Sequence, residues 1–220
     1  VEMAAVSNAT GLVPDVPGMH GPRVEVDELV STFRPEQDGG ILSRAGRVDY
    51  STGAIAPGVF AIVRSDDRRI RKEMKFITYA DGPYYLHFRP YHLCDLETPQ
   101  SVAEAVLLGE VTVTPERMYS EVVCTAKRDI APGATVDGIG GPDWYGVIMA
   151  YPEARAAKAV PIGLGARAVV KRPIAKGATI EREIASKSLD SYYVDKDGKK
   201  VYHLDLVINA DKGNFALSND

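Results

Sequence analysis

Side chains that can bind anions and exchange protons are concentrated between residues 84 and 97. This stretch contains Tyr84, Tyr85, His87, Arg89, Tyr91, His92, Asp95 and Glu97. A phosphorylated or carboxylated sugar requires a guanidinium group for a forked anion contact and an imidazole or phenol for proton transfer at a carbonyl. We therefore predict that Tyr85, Arg89 and Tyr91 bind substrate and that His87 and His92 are catalytic. A solvated edge strand with aromatic packing is the alternative interpretation.

A β-strand would bring most of these groups to one surface. Residues 84–89 alternate in the manner of a strand, so Tyr85, His87 and Arg89 are expected on one face. His87 and His92 are five positions apart and cannot share that face. A shared metal site would therefore need a turn at Pro90, and we predict no metal ligation.

His20 is a third candidate for catalysis. It lies between glycines in the sequence Pro17-Gly-Met-His-Gly-Pro22, which is typical of a tight loop that holds one side chain in a fixed direction. We predict that His20 is a general acid or base, and that Arg23 and Arg44, which follow similar turns, bind substrate phosphate. The alternatives are a loop histidine bonded to backbone and two solvated surface arginines.

Short elements separated by glycine and proline characterise residues 1–118. Val24–Val30 predicts a short helix. The apolar run Val59–Val63 predicts a strand buried on both faces, with helices above and below. Thr98–Leu108 predicts a helix with Thr98 as its N-cap, Pro99 in its first turn and Gly109 closing it.

An internal duplication begins after Tyr119. Ala126–Val136 and Val170–Ile180 are identical at seven of eleven positions and lie 44 residues apart. Each copy predicts a hairpin that turns at Ala-x-Gly. Because a single hairpin cannot bury its apolar face, we expect the two to pack together with approximate twofold symmetry. The basic pairs at 127–128 and 171–172 recur with the repeat, which favours a structural or interaction role for them.

This half-repeat, xxRxIxxGxxI, resembles the SAF (β-clip) module of antifreeze-like proteins, flagellar P-ring chaperones and several sugar-acid enzymes. We assign the module to residues 119–188. Residues 189–220 form a separate tail, in which Ser191–Leu206 predicts two strands joined through Asp197-Gly198.

Several sequence segments within residues 1–118 resemble those of a known family. They are Asn8-Ala-Thr-Gly-Leu-Val-Pro-Asp15, Pro17-Gly-Met-His-Gly-Pro-Arg23, Gly39-Gly-Ile-Leu-Ser-Arg44, Gly82-Pro-Tyr-Tyr-Leu86, Arg89-Pro-Tyr-His-Leu-Cys94 and Leu96-Glu-Thr-Pro99. Together they look like the catalytic portion of homoserine-dehydrogenase-like oxidoreductases. That group includes the reductoisomerase-like enzymes that make 2-C-methyl-D-erythritol 4-phosphate from 1-deoxy-D-xylulose 5-phosphate. A SAF module follows the catalytic portion in that family, in the order found here.

The resemblance implies the substrate-binding and oligomerising part of an NAD(P)-dependent oxidoreductase or reductoisomerase. The implied substrate is a small, phosphorylated sugar or polyol. Such enzymes begin with a Rossmann domain, but no GxGxxG follows a strand here, and Gly138–Gly141 lacks the spacing. We therefore expect NAD(P) only if a Rossmann domain exists elsewhere, and predict no cofactor-binding residues in this sequence. Val1–Val6 resembles the later turns of a helix without a start signal, which favours a fragment or a processed product.

Composition narrows the remaining possibilities. The 220 residues are 45% hydrophobic and 25% charged, with a net charge of −4, as in an ordinary globular protein. No basic stripe suits nucleic acid, no apolar run could span a membrane, and no secretory signal begins the sequence. Cys94 and Cys124 have no metal or disulfide spacing and are expected to be two buried thiols.

We therefore expect an α+β fold in which a mixed-sheet substrate segment precedes a small duplicated β-clip module. The expected protein is a cytoplasmic homo-oligomer that binds a small anionic substrate, without nucleic-acid or membrane partners. Two rivals remain: a stand-alone, non-redox binding or assembly protein, and a cofactor-free isomerase or cyclase that uses the same pocket.

Overall fold

The computed structural model describes residues 1–53, 57–78 and 80–182, together with the backbone of 185–187, 192–194 and 200–202. Within these residues, short helices are combined with five two-stranded sheets, and the predicted α+β class is confirmed. Helices and strands alternate through the first region, whereas strands predominate after residue 119.

The chain begins with helix α1 (Glu2–Thr10), which ends at Gly11 in the left-handed conformation. Strand β1 (Val13–Pro14) then pairs in parallel with strand β2 (Arg47–Val48). Between them, the predicted short helix at 24–30 is displaced toward its C-terminal end. It consists of a 3₁₀ turn (Val26–Glu28) that continues into helix α2 (Leu29–Thr32).

Two longer strands form the second sheet. Strand β3 (Val59–Arg64) pairs antiparallel with strand β4 (Tyr84–Arg89), so both predicted strands are confirmed. One face of this pair packs on the buried residues Leu29, Phe33 and Leu42. The other face is open, and Val59 is 55% exposed, so the prediction of a strand buried on both faces was wrong. A two-stranded sheet with a core on one side leaves alternate side chains of an apolar run uncovered.

Two helices flank β4 along the chain. Helix α3 (Arg68–Thr78) precedes it, and helix α4 (Cys94–Ala103) follows it and continues into a π-helical turn (Glu104–Leu108). The predicted end at Gly109 is confirmed, since this glycine has a φ of 70°. The predicted start was wrong, because α4 begins four residues before Thr98 and places Pro99 inside the helix.

The duplicated region begins with strand β5 (Ser120–Ala126), which pairs antiparallel with strand β6 (Trp144–Ala150). Helix α5 (Tyr151–Ala156) and strand β7 (Ala168–Val170) follow, and β7 pairs with strand β8 (Ala185–Lys187). The core of this region is lined by equivalent positions of the two repeats. These pairs are Cys124 and Ala168, Ala126 and Val170, Ile130 and Ile174, and Val136 and Ile180.

Backbone hydrogen bonds confirm the approximate twofold relation of the repeats. Ile130 and Ile174 donate to each other's carbonyl oxygens, at 2.8 and 3.0 Å. Gly133 donates to Val170 as Gly177 donates to Ala126, and both glycines have a φ of 83°. The arms of each repeat therefore bond to the arms of the other, rather than forming two self-paired hairpins as predicted. Exchanging arms completes hydrogen bonds and buries the apolar face in one step.

The tail forms the predicted pair of strands, β9 (Tyr192–Val194) and β10 (Lys200–Tyr202), which are antiparallel. The predicted turn at Asp197-Gly198 lies outside the described residues. Of the two cysteines, Cys124 is buried, and burial raises the pKa of its thiol to about 12. Cys94 is exposed, so the prediction of two buried thiols was wrong for this residue. Among the described residues, no helix is long and apolar enough to cross a membrane.

Candidate functional site

Two acidic residues meet where the parallel strands β1 and β2 end. Val13 is paired with Arg47 and Pro14 with Val48, so the next residues, Asp15 and Asp49, leave the ladder at the same edge. Both carboxylates are almost completely covered, with side chains 4% and 3% exposed. Because buried carboxylates are costly without donors, this edge must supply cations or N–H groups.

The donors come from the His20 loop. Gly18, Met19 and Gly21 all have positive φ angles, of 83°, 67° and 56°. Gly18 also donates to the carbonyl of Ile148 at 2.8 Å, which anchors the loop to strand β6. A non-glycine residue at positive φ is costly and is found where the surrounding structure imposes it. The predicted tight loop is therefore present, and it turns the His20 side chain toward the two carboxylates.

His20 lies between Asp49 and Asp15. Its Nδ1 is 2.7 Å from Asp49 Oδ2, and its backbone N–H also donates to that carboxylate. A carboxylate only accepts, so Nδ1 carries the proton in the neutral ring, and Nε2 is left as the basic nitrogen. Nε2 is 3.8 Å from Asp15, beyond hydrogen-bond distance, and a quarter of the side chain is exposed. This geometry holds the ring and leaves Nε2 for a ligand.

The Asp15 carboxylate is held in its ionised form by its own partners. Arg47 Nε is 2.8 Å from Oδ1, the Ser43 N–H donates to Oδ2 at 2.7 Å, and the Ser43 hydroxyl donates to Oδ1. Burial opposes ionisation of Asp15, but the Ser43 donors, with Arg47 and His20, outweigh it and lower its pKa below the ordinary 3.8. Asp15 is therefore a fixed negative charge beside the imidazole.

Four members of this cluster were not predicted: Asp15, Ser43, Arg47 and Asp49. The strands that align them have only two residues each, too short for a periodic pattern. Each aspartate directly follows an apolar residue, in Val-Pro-Asp15 and Arg-Val-Asp49, but the same pattern recurs at Val26-Asp27 and Val136-Asp137 and so does not single out the cluster. Arg44 follows Ser43 directly, and Arg23 lies two residues beyond Gly21, so both predicted arginines are close to the cluster in sequence. Both are exposed.

The predicted site residues of β4 differ in how far they are exposed to solvent. His87 and Arg89 lie on the exposed face of the strand, as expected from alternation, and Arg89 pairs with Glu97. The Arg89 guanidinium also lies 5.1 Å from the centre of the Tyr91 ring. Tyr85 shares the face but is buried beside Gly82, which differs from the exposed position that alternation predicts.

The predicted site residues do not all contact the same neighbours. His20 contacts Asp15 and Asp49, whereas Arg89 contacts Glu97 and Tyr91 at a cleft of about 720 Å³ beside helix α4. His92 is exposed between β4 and α4. A single pocket formed by His20, Arg44, His87, Arg89 and His92 stays a prediction.

The glycine-rich segment at 138–141 does not fit a dinucleotide. It leads directly into strand β6 and not into a helix, so it has no helix N-terminus to receive a pyrophosphate. Asp143, next to it, is instead bound by Arg128 Nε at 2.7 Å and by the backbone N–H of Asp137 at 2.9 Å. In the part of the chain that the structure describes, no group of three or more His, Cys, Asp or Glu residues could hold a metal ion.

Comparison with known families places the His20 cluster in context. Residues 1–98 match the family model described as "Oxidoreductase DRL, catalytic domain". This part of the chain is therefore similar to the catalytic domain of an oxidoreductase. The match includes the His20 cluster and strands β3 and β4, and ends before the duplicated region. No curated protein matches the chain.

Proposed function

We propose that the chain is the substrate-binding and oligomerising part of an NAD(P)-dependent oxidoreductase or reductoisomerase, with His20 as its acid–base residue. The substrate is a small phosphorylated sugar or polyol, and the location is cytoplasmic. The observation that carries the proposal is the 2.7 Å contact between His20 Nδ1 and the covered Asp49 carboxylate, which leaves Nε2 accessible.

Proton transfer at a substrate oxygen suits this arrangement. Reduction of a carbonyl, or shift of a carbonyl along a sugar, creates an alkoxide that must gain a proton. Nε2 can give that proton and take it back, while Asp49 holds the ring and stabilises the imidazolium form. Asp15, already paired with Arg47, adds a second negative charge on the Nε2 side.

Anion binding is assigned to arginines near this loop. Arg23 and Arg44 are exposed and follow the turns that carry His20 and Ser43, so we assign the phosphate group to them and the reacting carbonyl to His20. Arg89, Tyr85 and Tyr91 are secondary candidates. A phosphate at Arg89 would have to displace Glu97, and Tyr85 is buried. His87 and His92, which are both exposed, remain alternative proton donors.

Hydride chemistry would require a nucleotide-binding domain outside these residues, because Gly138–Gly141 leads into a strand and does not fit a dinucleotide. The chain's own residues would bind the anionic substrate, orient its carbonyl and hold a proton at His20 Nε2. The duplicated region is proposed as a SAF-type module, since its two repeats complete each other's hydrogen bonds within the chain. The oligomerising role is proposed from the family resemblance alone.

The test is a steady-state assay of the full-length protein with NADH or NADPH and a panel of sugar phosphates, including 1-deoxy-D-xylulose 5-phosphate. We expect His20→Gln to lower kcat about 10²–10⁴-fold, the usual contribution of a general acid or base. Calorimetric affinity for the phosphorylated substrate should change little. Asp49→Asn should also lower kcat, because the amide can present an N–H to Nδ1 and favour the wrong tautomer.

The matched control is Asp66→Asn, which removes an exposed carboxylate that pairs with Arg64 at the end of strand β3, and should leave kcat unchanged. Unaltered kcat in His20→Gln would contradict the acid–base role. Binding of sugar phosphates without any nicotinamide-dependent turnover would favour the non-redox rivals.

A further inference from the structure

The Asp49 carboxylate is held by backbone groups from two segments of the chain. Its Oδ1 accepts the N–H groups of Gly21 at 3.0 Å and Tyr50 at 2.8 Å. The His20 N–H lies 3.2 Å from Oδ1 and 3.1 Å from Oδ2, and the His20 ring bonds to Oδ2. These donors satisfy a carboxylate whose side chain is only 3% exposed. The orientation of the imidazole therefore depends on how the turn through Gly21 is held.

The Tyr50 ring packs against that turn. Gly21 has a φ of 56°, and a Cβ built on it would lie 2.4 Å from both Cζ and Oη of Tyr50. Real Cβ atoms essentially never lie so close to another atom, so the ring occupies the space that any larger residue at position 21 would need. The tyrosine ring thus lies directly against the residue that follows His20.

The contact between Tyr50 and Gly21 is made by the ring and not by a hydrogen bond of the hydroxyl group. Tyr50 is 42% exposed, and its Oη has no hydrogen-bond partner among the residues that the structure describes. A ring contact without a hydrogen bond is van der Waals packing. Phenylalanine can reproduce this packing, whereas alanine cannot.

Hydrogen bonds join the same two segments beyond the Tyr50 ring. The Thr52 N–H donates to the Pro22 carbonyl at 3.1 Å, and the Val24 N–H donates to Ser51 Oγ at 3.3 Å. These bonds remain whatever side chain occupies position 50. Removal of the ring should therefore free the Gly21 turn while the two segments stay together.

We propose that Tyr50 is a positioning residue for His20. Its ring fixes the Gly21 turn, and this turn holds the imidazole on Asp49 with the proton on Nδ1. Without the ring, the turn can move into the space beside Gly21, Nδ1 can separate from Asp49, and the two ring nitrogens can exchange roles. The consequence for turnover rests on the acid–base role proposed for His20, but the tautomer itself is measurable without any substrate.

Nitrogen NMR of the full chain labelled at histidine measures the tautomer, because it distinguishes a ring nitrogen that carries a proton from one that does not. His20→Gln identifies the signals of residue 20 among those of the four histidines. At a pH where the ring is neutral, the wild type should carry the proton on Nδ1 and show a low-field proton signal from the bond to Asp49. Tyr50→Ala should lose that signal and populate both tautomers, whereas Tyr50→Phe should keep the wild-type spectrum.

Tyr145→Ala is the matched control for loss of a tyrosine ring. Tyr145 is 45% exposed, close to the 42% of Tyr50, but lies in the duplicated region. Its removal should leave the His20 signals unchanged. Circular dichroism checks that each variant is folded. If Tyr50→Ala does not fold, Tyr50→Leu keeps part of the packing and should show an intermediate mixture of the two tautomers.

An unchanged tautomer in Tyr50→Ala, or in a folded Tyr50→Leu when the alanine variant is unfolded, overturns the proposal. Loss of the Nδ1–H signal in Tyr50→Phe also overturns it, because the hydroxyl group and not the ring would then hold the turn. In the steady-state assay, Tyr50→Ala should lower kcat and Tyr50→Phe should restore it. Unaltered kcat in His20→Gln would contradict the proposed function but would leave the NMR result for Tyr50 as it stands, so the two failures are distinguishable.

Discussion

The two regions of the molecule bury their apolar residues to very different extents. Between residues 119 and 182, equivalent positions of two repeats line one core together with Trp144, and further buried residues of β5, β6 and α5 form two smaller clusters. Between residues 1 and 118, small clusters such as that of Leu29 and Phe33 cover one face of a sheet, while helices α3 and α4 remain exposed. The duplicated region buries apolar residues between its own repeats and against Ala4 of helix α1, whereas the first region leaves the apolar side chains of α3 and α4 exposed.

The candidate chemical site lies in the less buried region, and the more buried region helps to hold it in place. The His20 cluster is built from loops and two-residue strands in the first region, where backbone angles are unusual and donors converge on two carboxylates. It is anchored to the second region through Gly18 and Ile148. The duplicated region therefore helps to hold a loop whose own neighbouring strands have only two residues each.

The largest expected effect is in the core of the duplicated region. Trp144 is 1% exposed and donates through Nε1 to the carbonyl of Asp137 at 3.0 Å. Trp144→Ala should lower the free energy of unfolding by about 3–5 kcal/mol, as expected for removal of a buried aromatic ring. Denaturant unfolding measures this. At concentrations where the chain is monomeric, Phe76→Ala on the exposed helix α3 should change the free energy of unfolding by less than about 0.5 kcal/mol. Equal losses would contradict the difference between the regions.

A smaller effect tests the symmetry of the repeats. Gly133 and Gly177 have the same φ of 83°, and a Cβ added at either would meet no atom within 4 Å. Gly133→Ala and Gly177→Ala should therefore cost only backbone strain, roughly 1–2 kcal/mol each. Thermal or chemical unfolding of both variants should give the same loss. Clearly unequal losses would show that the two turns are not equivalent.

The smallest effect concerns pH and the His20 cluster. The pKa of Asp15 is lowered in the folded chain, so ionisation of this residue stabilises the fold above the unfolded value near 3.8. That stabilisation should be lost as the pH falls from 3.8 through the lower folded pKa, because the unfolded chain is protonated first. Urea unfolding at a series of pH values between about 6 and about 2 measures how the free energy of unfolding changes with pH. Ser43→Ala should reduce the contribution and Asp15→Asn should abolish it; an unchanged slope in Asp15→Asn would refute the assignment.

Much of the fold was predictable from local pattern. Strands β3 and β4, the closure of the α4 segment at Gly109 and the duplication were all expected, because apolar alternation, a left-handed glycine and repeated sequence are local signals. The start of α4 was misplaced, since Thr98 and Pro99 are typical of a first turn but here lie within the helix. The exposed face of β3 was missed, because an apolar run does not reveal how many layers cover it.

The candidate site was predicted less completely. The glycines around His20 indicated a fixed side chain, but Asp15 and Asp49 are 34 positions apart in sequence and meet only through the parallel pairing of two very short strands. The exchange of arms between the repeats is also non-local, because a hairpin and an exchanged pair share the same turn residues. By itself, then, the sequence determined the elements, the turns and the repeat, which depend on neighbouring residues. Only the tertiary structure decided which carboxylates face His20 and which apolar faces stay open, because both depend on contacts between distant segments.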